Sequence, residues 1–159
     1  MKGFSMLQTS QAAPYFSSLN QDNDLISLAD FKGQNNIVLY FYPKDNTSGC
    51  TIEANEFTAL AGDFAAENTV VIGISKDSCE SHRGFIDKQG IQFDLLADTS
   101  GELCEAYGVW QEKTKNGVTK MGIVRSTFVI NKAGVLEAAI YGVTAKGHAA
   151  EMLELVKGL

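Results

Sequence analysis

Two largely apolar segments stand out in the first half of the chain, at residues 37–42 and 69–75. Both are rich in β-branched and aromatic residues, and neither contains a charged position. Segments of this kind are typical of strands that are buried on both faces of a sheet. Pro43 and the polar stretch 44–49 end the first segment. The pattern therefore predicts two strands in the interior of a sheet.

Helical spacing of apolar residues follows each of these segments. Over 51–68, apolar residues recur every three or four positions, which predicts an amphipathic helix. Ser78 is suited to cap a second helix that runs to about residue 89, where Gly90 can end it. Two more helices are predicted, a short one over 102–107 and a final one over about 146–157.

A pair of strands is predicted between these last two helices, at 124–130 and 135–141, joined by a turn at 131–134. The resulting order is strand, helix, strand, helix, hairpin and helix. It describes an α/β protein with a mixed central sheet flanked by helices, which is the thioredoxin-like arrangement. The length of 159 residues fits one domain spanning 1–159.

Composition and charge indicate which macromolecules the protein is not expected to bind. Hydrophobic residues make up 45% of the chain and charged residues 20%, which is ordinary for a globular protein. Thirteen basic residues against nineteen acidic ones give a formal net charge of −6. A chain that repels phosphate overall is a poor candidate for non-specific binding to nucleic acid or anionic membranes. We therefore expect neither kind of partner.

Targeting signals are also not expected. Residues 1–8 contain no continuous apolar stretch of the kind found in a secretory signal. The six apolar residues at 37–42 are far too few to span a membrane. We therefore expect a cytoplasmic protein, in which thiols are kept reduced.

The three cysteines, Cys50, Cys79 and Cys104, form no CxxC motif, which argues against a disulfide reductase. Cys50 lies where the helix after the first buried strand begins. The first turn of a helix offers free N–H groups and the positive end of the helix dipole, both of which stabilise a thiolate. From position alone, a small residue that merely packs at the helix start is an equally good interpretation.

Position at a helix start is not sufficient to make a thiol reactive. A thiol with the usual pKa of about 8.5 is about 3% ionised at pH 7, whereas one with a pKa of about 6 is about 90% ionised. The difference corresponds to about 3.4 kcal/mol, while a helix dipole contributes up to about 2 kcal/mol. A reactive cysteine here therefore needs a nearby cation.

The stretch Pro43-x-x-x-Thr47-x-x-Cys50 resembles the active-site signature of peroxiredoxins. Thr47 can turn its hydroxyl towards the sulfur, and Gly49 permits close approach of the backbone. Nearly the whole chain is similar to the peroxiredoxin Q (bacterioferritin comigratory protein) branch. The shared segments are, in order, Ala13-Pro14, 40–45, 49–54, 73–78, 80–82, Tyr107-Gly108-Val109-Trp110 and 122–130.

This resemblance implies a thiol peroxidase and supplies the missing cation as Arg125. Cys50 would attack a peroxide oxygen and become a sulfenic acid, while Thr47 and Arg125 hold the peroxide. Pro43 would shield the thiolate. Glu53 is a candidate for orienting the arginine, and the alternative is an ordinary acidic residue in the first turn of the helix. No cofactor and no metal are implied. The expected substrate is a peroxide, either hydrogen peroxide or an organic hydroperoxide. The expected reductant is a thiol donor such as thioredoxin or a glutaredoxin–glutathione system. Because the branch is commonly monomeric, a monomer is expected.

The chain departs from this branch at the positions of the second cysteine. Members of the branch carry it five residues after the first, where Asn55 stands, or on the next helix, at a position matching Ile86. Cys79 is the remaining candidate, seven residues before Ile86 and so on roughly the same helix face. Because a disulfide needs Cα atoms within about 7 Å, one or both helix starts would have to unwind. The alternatives are that Cys79 only packs, and that an external thiol resolves Cys50.

The remaining cysteine and the two histidines are not expected to take part in the chemistry. Cys104 is expected to be a structural residue of its short helix, and His82 and His148 are expected to be solvated. Ser48 stands where the branch usually has proline, which would loosen the loop. A redox sensor or thiol-dependent chaperone, in which Cys50 signals without turning over, is the rival function.

Overall fold

A five-stranded mixed sheet and two small hairpins make up the β-structure of the protein, here a computed structural model that describes residues 6–159. Residues 1–5 lie outside the described residues. They belong to the predicted domain 1–159 and to the segment 1–8 in which no signal sequence is expected. The strands are β1 (Ser17–Leu19), β2 (Leu25–Ser27), β3 (Asn36–Phe41), β4 (Thr69–Ser75), β5 (Asp94–Ala97), β6 (Trp110–Lys115), β7 (Val118–Ile123), β8 (Ser126–Ile130) and β9 (Leu136–Tyr141).

Five α-helices accompany the strands in the described part of the chain. They are α1 (Ser48–Ala59), α2 (Ala61–Ala66), α3 (Cys79–Gln89), α4 (Glu102–Ala106) and α5 (His148–Lys157). Ser78 caps α3 by accepting a hydrogen bond from the Ser81 N–H, and Gly90 ends it in the left-handed conformation at φ 68°. Both roles agree with the sequence-based prediction.

The order of the central sheet is β5–β4–β3–β8–β9. β3, β4 and β5 run parallel to one another, whereas β8 and β9 are antiparallel to their neighbours. Since β3 and β4 are adjacent and parallel, the helices that follow them, α1 and α3, both begin at the same edge of the sheet. This edge carries Cys50 and Cys79.

A hydrophobic cluster covers each face of the sheet. Cys50, Phe57, Phe85 and Ile86 share one cluster with residues of α5, so α1, α3 and α5 lie on the same face. The opposite face is packed by α4, including Cys104, and by residues near β1 and β2. The central strand β3 is buried along its whole length, as its continuous apolar sequence predicted.

The thioredoxin-like α/β arrangement predicted from the sequence is confirmed, with local differences. The predicted helix over 51–68 is wrong as a single element, because Leu60, at φ −102° and ψ 6°, separates α1 from α2. Gly62 follows closely, and its low helix propensity weakens this segment. The hairpins β1–β2 and β6–β7 and the short strand β5 were not predicted.

Within residues 6–159, no helix combines the length and apolar character needed to cross a membrane.

Candidate active site

Cys50 occupies the first turn of α1, directly after the loop that follows β3. Thr47 is the N-cap residue of this helix and has an extended backbone, at φ −82° and ψ 157°. The Cys50 side chain is almost fully shielded from solvent, since the residue is 1% exposed. The structure therefore places the sulfur at a helix start, as predicted, but beneath the surface.

Arg125, immediately before β8, brings a cation to the sulfur. Its Nη2 lies 3.4 Å from Cys50 Sγ, although 75 residues separate the two in sequence. Gly49 makes this approach possible, because a side-chain carbon at that position would lie 3.1 Å from the same nitrogen. The cation that the thiol needs is thus present, and a guanidinium keeps its charge at any relevant pH.

Glu53, one turn further along α1, holds the other side of the guanidinium. Arg125 Nη1 donates a hydrogen bond of 2.6 Å to Glu53 Oε1, while Glu53 Oε2 has no hydrogen-bond partner among residues 6–159. Glu53 is fully buried, and this burial raises its pKa to about 7, although the charge of Arg125 opposes the shift. Burial acts to lower the pKa of Arg125, but the charges of Glu53 and Cys50 outweigh it and raise that pKa.

Thr47 and Pro43 lie in the loop between β3 and Cys50. The Thr47 hydroxyl donates a hydrogen bond of 2.8 Å to the Lys44 carbonyl, which commits its proton and leaves its lone pairs as acceptors. Pro43 is half-buried, and Ser48 is exposed as the first residue of α1. The loop is therefore fixed from within by Thr47 rather than by a proline at residue 48.

His82 is buried, so the prediction of a solvated histidine is wrong. Its Nδ1 lies 2.8 Å from Asp45 Oδ2 and its Nε2 lies 2.9 Å from the Leu96 carbonyl oxygen. Tyr42 adds a hydrogen bond of 2.6 Å from its hydroxyl to Asp45 Oδ1. Burial acts to raise the pKa of Asp45, but hydrogen bonds from His82, Tyr42 and Ser81 outweigh it and lower that pKa. This network fixes the loop before Cys50 against α3.

Asp45, Asp77 and His82 also form a group whose ligand atoms lie within 4.8 Å of one another, which is the spacing of a metal site. Hydrogen bonds already occupy these atoms, because Asp77 Oδ2 accepts from the Ser75 hydroxyl at 2.6 Å and from the Asp45 N–H at 2.9 Å. These hydrogen bonds hold the three side chains together without an ion.

His148 is likewise buried, contrary to prediction. Its Nε2 lies 2.7 Å from the hydroxyl of Thr127, which belongs to strand β8. Burial lowers the pKa of His148, against the opposing effect of Glu151. This contact could not be predicted from the sequence, because both partners are polar and lie 21 residues apart.

Cys50 and Cys79 lie in the first turns of α1 and α3, respectively. Asn55 Nδ2, on α1, donates a hydrogen bond of 3.3 Å to Oε1 of Gln89, the last residue of α3. Cys50 is buried at the start of its helix, whereas Cys79 is half-buried. Both thiols are free in this structure.

Cys104 lies in α4 on the other face of the sheet, fully buried. Burial raises the pKa of its thiol well above the usual range, and hydrogen bonding to Asp98 adds to the effect. Such a thiol is inert, which agrees with the structural role predicted for it.

Comparison with known proteins identifies the family. Residues 9–139 match the model of the AhpC/TSA family. The chain is 45% identical over 148 residues to the putative peroxiredoxin bcp of Helicobacter pylori, covering 93% of this chain and 97% of that protein. It is 42% identical over 153 residues to the peroxiredoxin Bcp of Bacillus subtilis, covering 96% and 97% of the two chains.

Solved structures agree with this match. A cysteine-to-serine variant of PrxQ from Xylella fastidiosa superposes with a TM-score of 0.90 at 36% identity, covering 98% of both chains. The bacterioferritin comigratory protein of Xanthomonas campestris, studied for alkyl peroxide reduction, gives a TM-score of 0.86 at 33% identity, again over 98% of both chains. The resemblance inferred from the motif is confirmed: the chain belongs to the AhpC/TSA family, as a thiol-dependent peroxidase of the peroxiredoxin Bcp/PrxQ type.

Proposed function

We propose that Cys50 is the thiol that reduces the peroxide and that Arg125 is the cation that activates it. The observation that carries this assignment is the 3.4 Å approach of Arg125 Nη2 to Cys50 Sγ. The guanidinium keeps its positive charge at any relevant pH, and at this distance it attracts a negatively charged sulfur. The free N–H groups of the first turn of α1 act in the same direction.

The reaction is a two-electron transfer from sulfur to the peroxide. The Cys50 thiolate attacks the terminal oxygen of the peroxide, so that an S–O bond forms and the O–O bond breaks. The sulfur is oxidised to a sulfenic acid, and the departing oxygen takes a proton and leaves as water or an alcohol. Arg125 stabilises the negative charge that develops on that departing oxygen.

Thr47, Pro43 and Glu53 are positioning candidates for this step. The lone pairs of the Thr47 hydroxyl face a hydroperoxide as acceptors for its O–H, because the hydroxyl proton is already given to Lys44. Pro43 covers the approach to Cys50 without offering an N–H group that would compete for the peroxide. Glu53 holds the guanidinium of Arg125 in place through a hydrogen bond of 2.6 Å.

Hydrogen peroxide and organic hydroperoxides are the proposed substrates. The reduction of alkyl peroxides by the Xanthomonas relative supports the second class. The reacting group is the same O–O bond in both classes of peroxide.

Cys79 is the proposed resolving thiol. It lies on the same face of the sheet as Cys50, whereas Cys104 lies on the other face. Attack of the Cys79 thiolate on the Cys50 sulfenic acid would form the disulfide and release water. Because Cys50 is 1% exposed, this attack requires the start of α1 to open, and helix ends are the parts of a fold that open most easily. If this attack does not occur, an external thiol reduces the sulfenic acid directly.

Thioredoxin, or a glutaredoxin–glutathione system, is the proposed reductant, with the enzyme acting as a monomer in the cytoplasm. A dithiol reductant transfers two electrons to the Cys50–Cys79 disulfide through a mixed disulfide and is itself oxidised. The thiol dependence of the family supports a reductant of this type.

Steady-state peroxide consumption with thioredoxin, thioredoxin reductase and NADPH tests the assignment. The Cys50→Ser variant should lose peroxidase activity, because serine cannot form the sulfenic acid. The matched control is Cys104→Ala, which removes a thiol from the opposite face and should retain turnover. Retained activity in Cys50→Ser would refute the role of Cys50, whereas a wild-type protein that oxidises once but never turns over would favour the redox sensor.

A further inference from the structure

One surface groove concentrates positive charge on a protein whose net charge is −6. The groove has a volume of about 750 Å³ and is lined by the β6–β7 hairpin and by the loops after β3 and β4. Five of the thirteen basic residues line it, namely Lys44, Lys76, Lys113, Lys115 and Lys120. The described residues of its lining include no aspartate or glutamate. We call this feature the lysine groove.

The β6–β7 hairpin keeps these lysines at a cost to its own stability. Lys113 and Lys120 stand directly opposite each other in the antiparallel register, and like charges in that arrangement are destabilising. Lys115 follows two residues after Lys113, and the strand residue opposite it is the apolar Val118. Burial lowers the pKa of Lys113, and the positive charge of Arg125 adds to the shift. Lys113 Nζ donates a hydrogen bond of 2.7 Å to the Ile123 carbonyl, but among residues 6–159 none of the five lysines forms a salt bridge. The hairpin thus brings together cations that have no carboxylate partner.

Apolar side chains accompany the charges. Val118 is 62% exposed and Met121 is 46% exposed, and both line the groove. Lys76 Nζ lies 4.1 Å from the centroid of the Trp110 ring, which also belongs to the lining. Exposed apolar residues beside unpaired cations are the composition of a surface that a protein partner covers.

Pro43 and Thr47, from the loop that leads to Cys50, line the groove as well. A partner seated there is therefore beside the residue that must be reduced after each turnover. Hydrogen peroxide is small and uncharged, and a singly charged hydroperoxide would neutralise one of the five ammonium groups. The number and spread of the charges fit a macromolecular anion better than a small substrate.

We propose that the lysine groove is the docking surface for an acidic face of the dithiol protein that reduces oxidised Cys50. This inference rests on the proposed function, because it needs Cys50 to be oxidised and then reduced by a protein thiol. The remainder of the surface carries the excess of negative charge and repels an acidic partner. The positively charged groove attracts the acidic partner and steers it to the surface beside the loop that leads to Cys50.

The test compares reduction by an acidic thioredoxin with reduction by dithiothreitol in the same variant. Lys115→Gln/Lys120→Gln removes two charges from the exposed part of the groove, and Lys88→Gln/Lys132→Gln removes two exposed charges elsewhere. For the groove variant, the ratio of thioredoxin-supported to dithiothreitol-supported turnover should fall about tenfold at low ionic strength, within the range of electrostatic steering. It should also depend less on salt than the wild-type ratio, since added ions screen these charges.

Each outcome bears on the proposal. An unchanged ratio, or an equal fall in the control variant, would overturn it, because net charge alone would then explain the effect. A loss confined to a carboxylate-bearing hydroperoxide, with unchanged reduction by thioredoxin, would assign the groove to substrate instead and would also overturn it. Absence of dithiothreitol-supported turnover in the wild type would be a failure of the proposed function rather than of the docking surface.

Discussion

Glu53 determines how much of the charge of Arg125 is available to Cys50. The carboxyl and the thiol sit on opposite sides of one guanidinium, at 2.6 Å and 3.4 Å. When Glu53 is ionised it shares that charge with the thiolate, and when it is protonated the thiolate has the cation to itself. Because burial raises the pKa of Glu53 to about 7, this change falls close to neutral pH.

The raised pKa of Glu53 predicts a pH dependence of stability. A carboxyl whose pKa is higher in the folded than in the unfolded protein favours folding below its usual pKa, and this contribution is lost as the pH rises towards the folded value. Glu53→Gln does not titrate, so the variant should gain stability relative to the wild type between pH 5 and pH 8. The gain should be up to about 3 kcal/mol, since one pKa unit corresponds to about 1.4 kcal/mol.

Urea denaturation at pH 5 and pH 8 measures this change in the free energy of unfolding. The matched control is Glu80→Gln, which removes the same charge from an exposed position in the first turn of α3. If Glu53→Gln and the wild type show the same change in unfolding free energy between the two pH values, the buried carboxyl does not titrate as described.

At the scale of elements, the parallel strands β3 and β4 bring the first turns of α1 and α3 to one edge of the sheet. Cys50 and Cys79 lie in these first turns as free thiols, and Cys50 is only 1% exposed. Asp45 and His82 add a buried contact between the loop before α1 and the body of α3. A disulfide between the two cysteines must therefore form in a locally opened state.

We predict that peroxide treatment links Cys50 to Cys79. Digestion under non-reducing conditions followed by mass spectrometry should yield a peptide pair joined through these two residues, with Cys104 still free. The linkage should be absent from Cys79→Ser. Detection of a Cys50 sulfenic acid beside a free Cys79 thiol in the wild type would instead assign the protein to the one-cysteine mechanism.

The elements that could be predicted from the sequence are those marked by a pattern within their own residues. β3 and β4 are continuous apolar segments, and α3 has both its start and its end marked, by Ser78 and Gly90. The β6–β7 hairpin lacks such a signal, because most of its residues are exposed and its pattern does not alternate. β5 has only four residues, too few for a periodic pattern.

At the scale of the whole molecule, contacts between distant residues were the least predictable. The burial of His82 depends on Asp45, 37 residues away, and that of His148 depends on Thr127. The pairing of Arg125 with Cys50 was expected only because the chain resembles peroxiredoxins. Composition gave a net charge of −6 and no indication that lysines as far apart as Lys44 and Lys120 share one groove.

The proposed mechanism requires that Cys50 is the residue that peroxide oxidises first. The most direct measurement treats the Cys79→Ser protein, in which resolution is blocked, with one equivalent of hydrogen peroxide in the presence of dimedone. Mass spectrometry of the peptides then locates the sulfenic acid. We expect a dimedone adduct on the peptide that contains Cys50 and a free thiol at Cys104. An unmodified Cys50 in protein that has consumed the peroxide would show that Cys50 is not the residue that peroxide attacks.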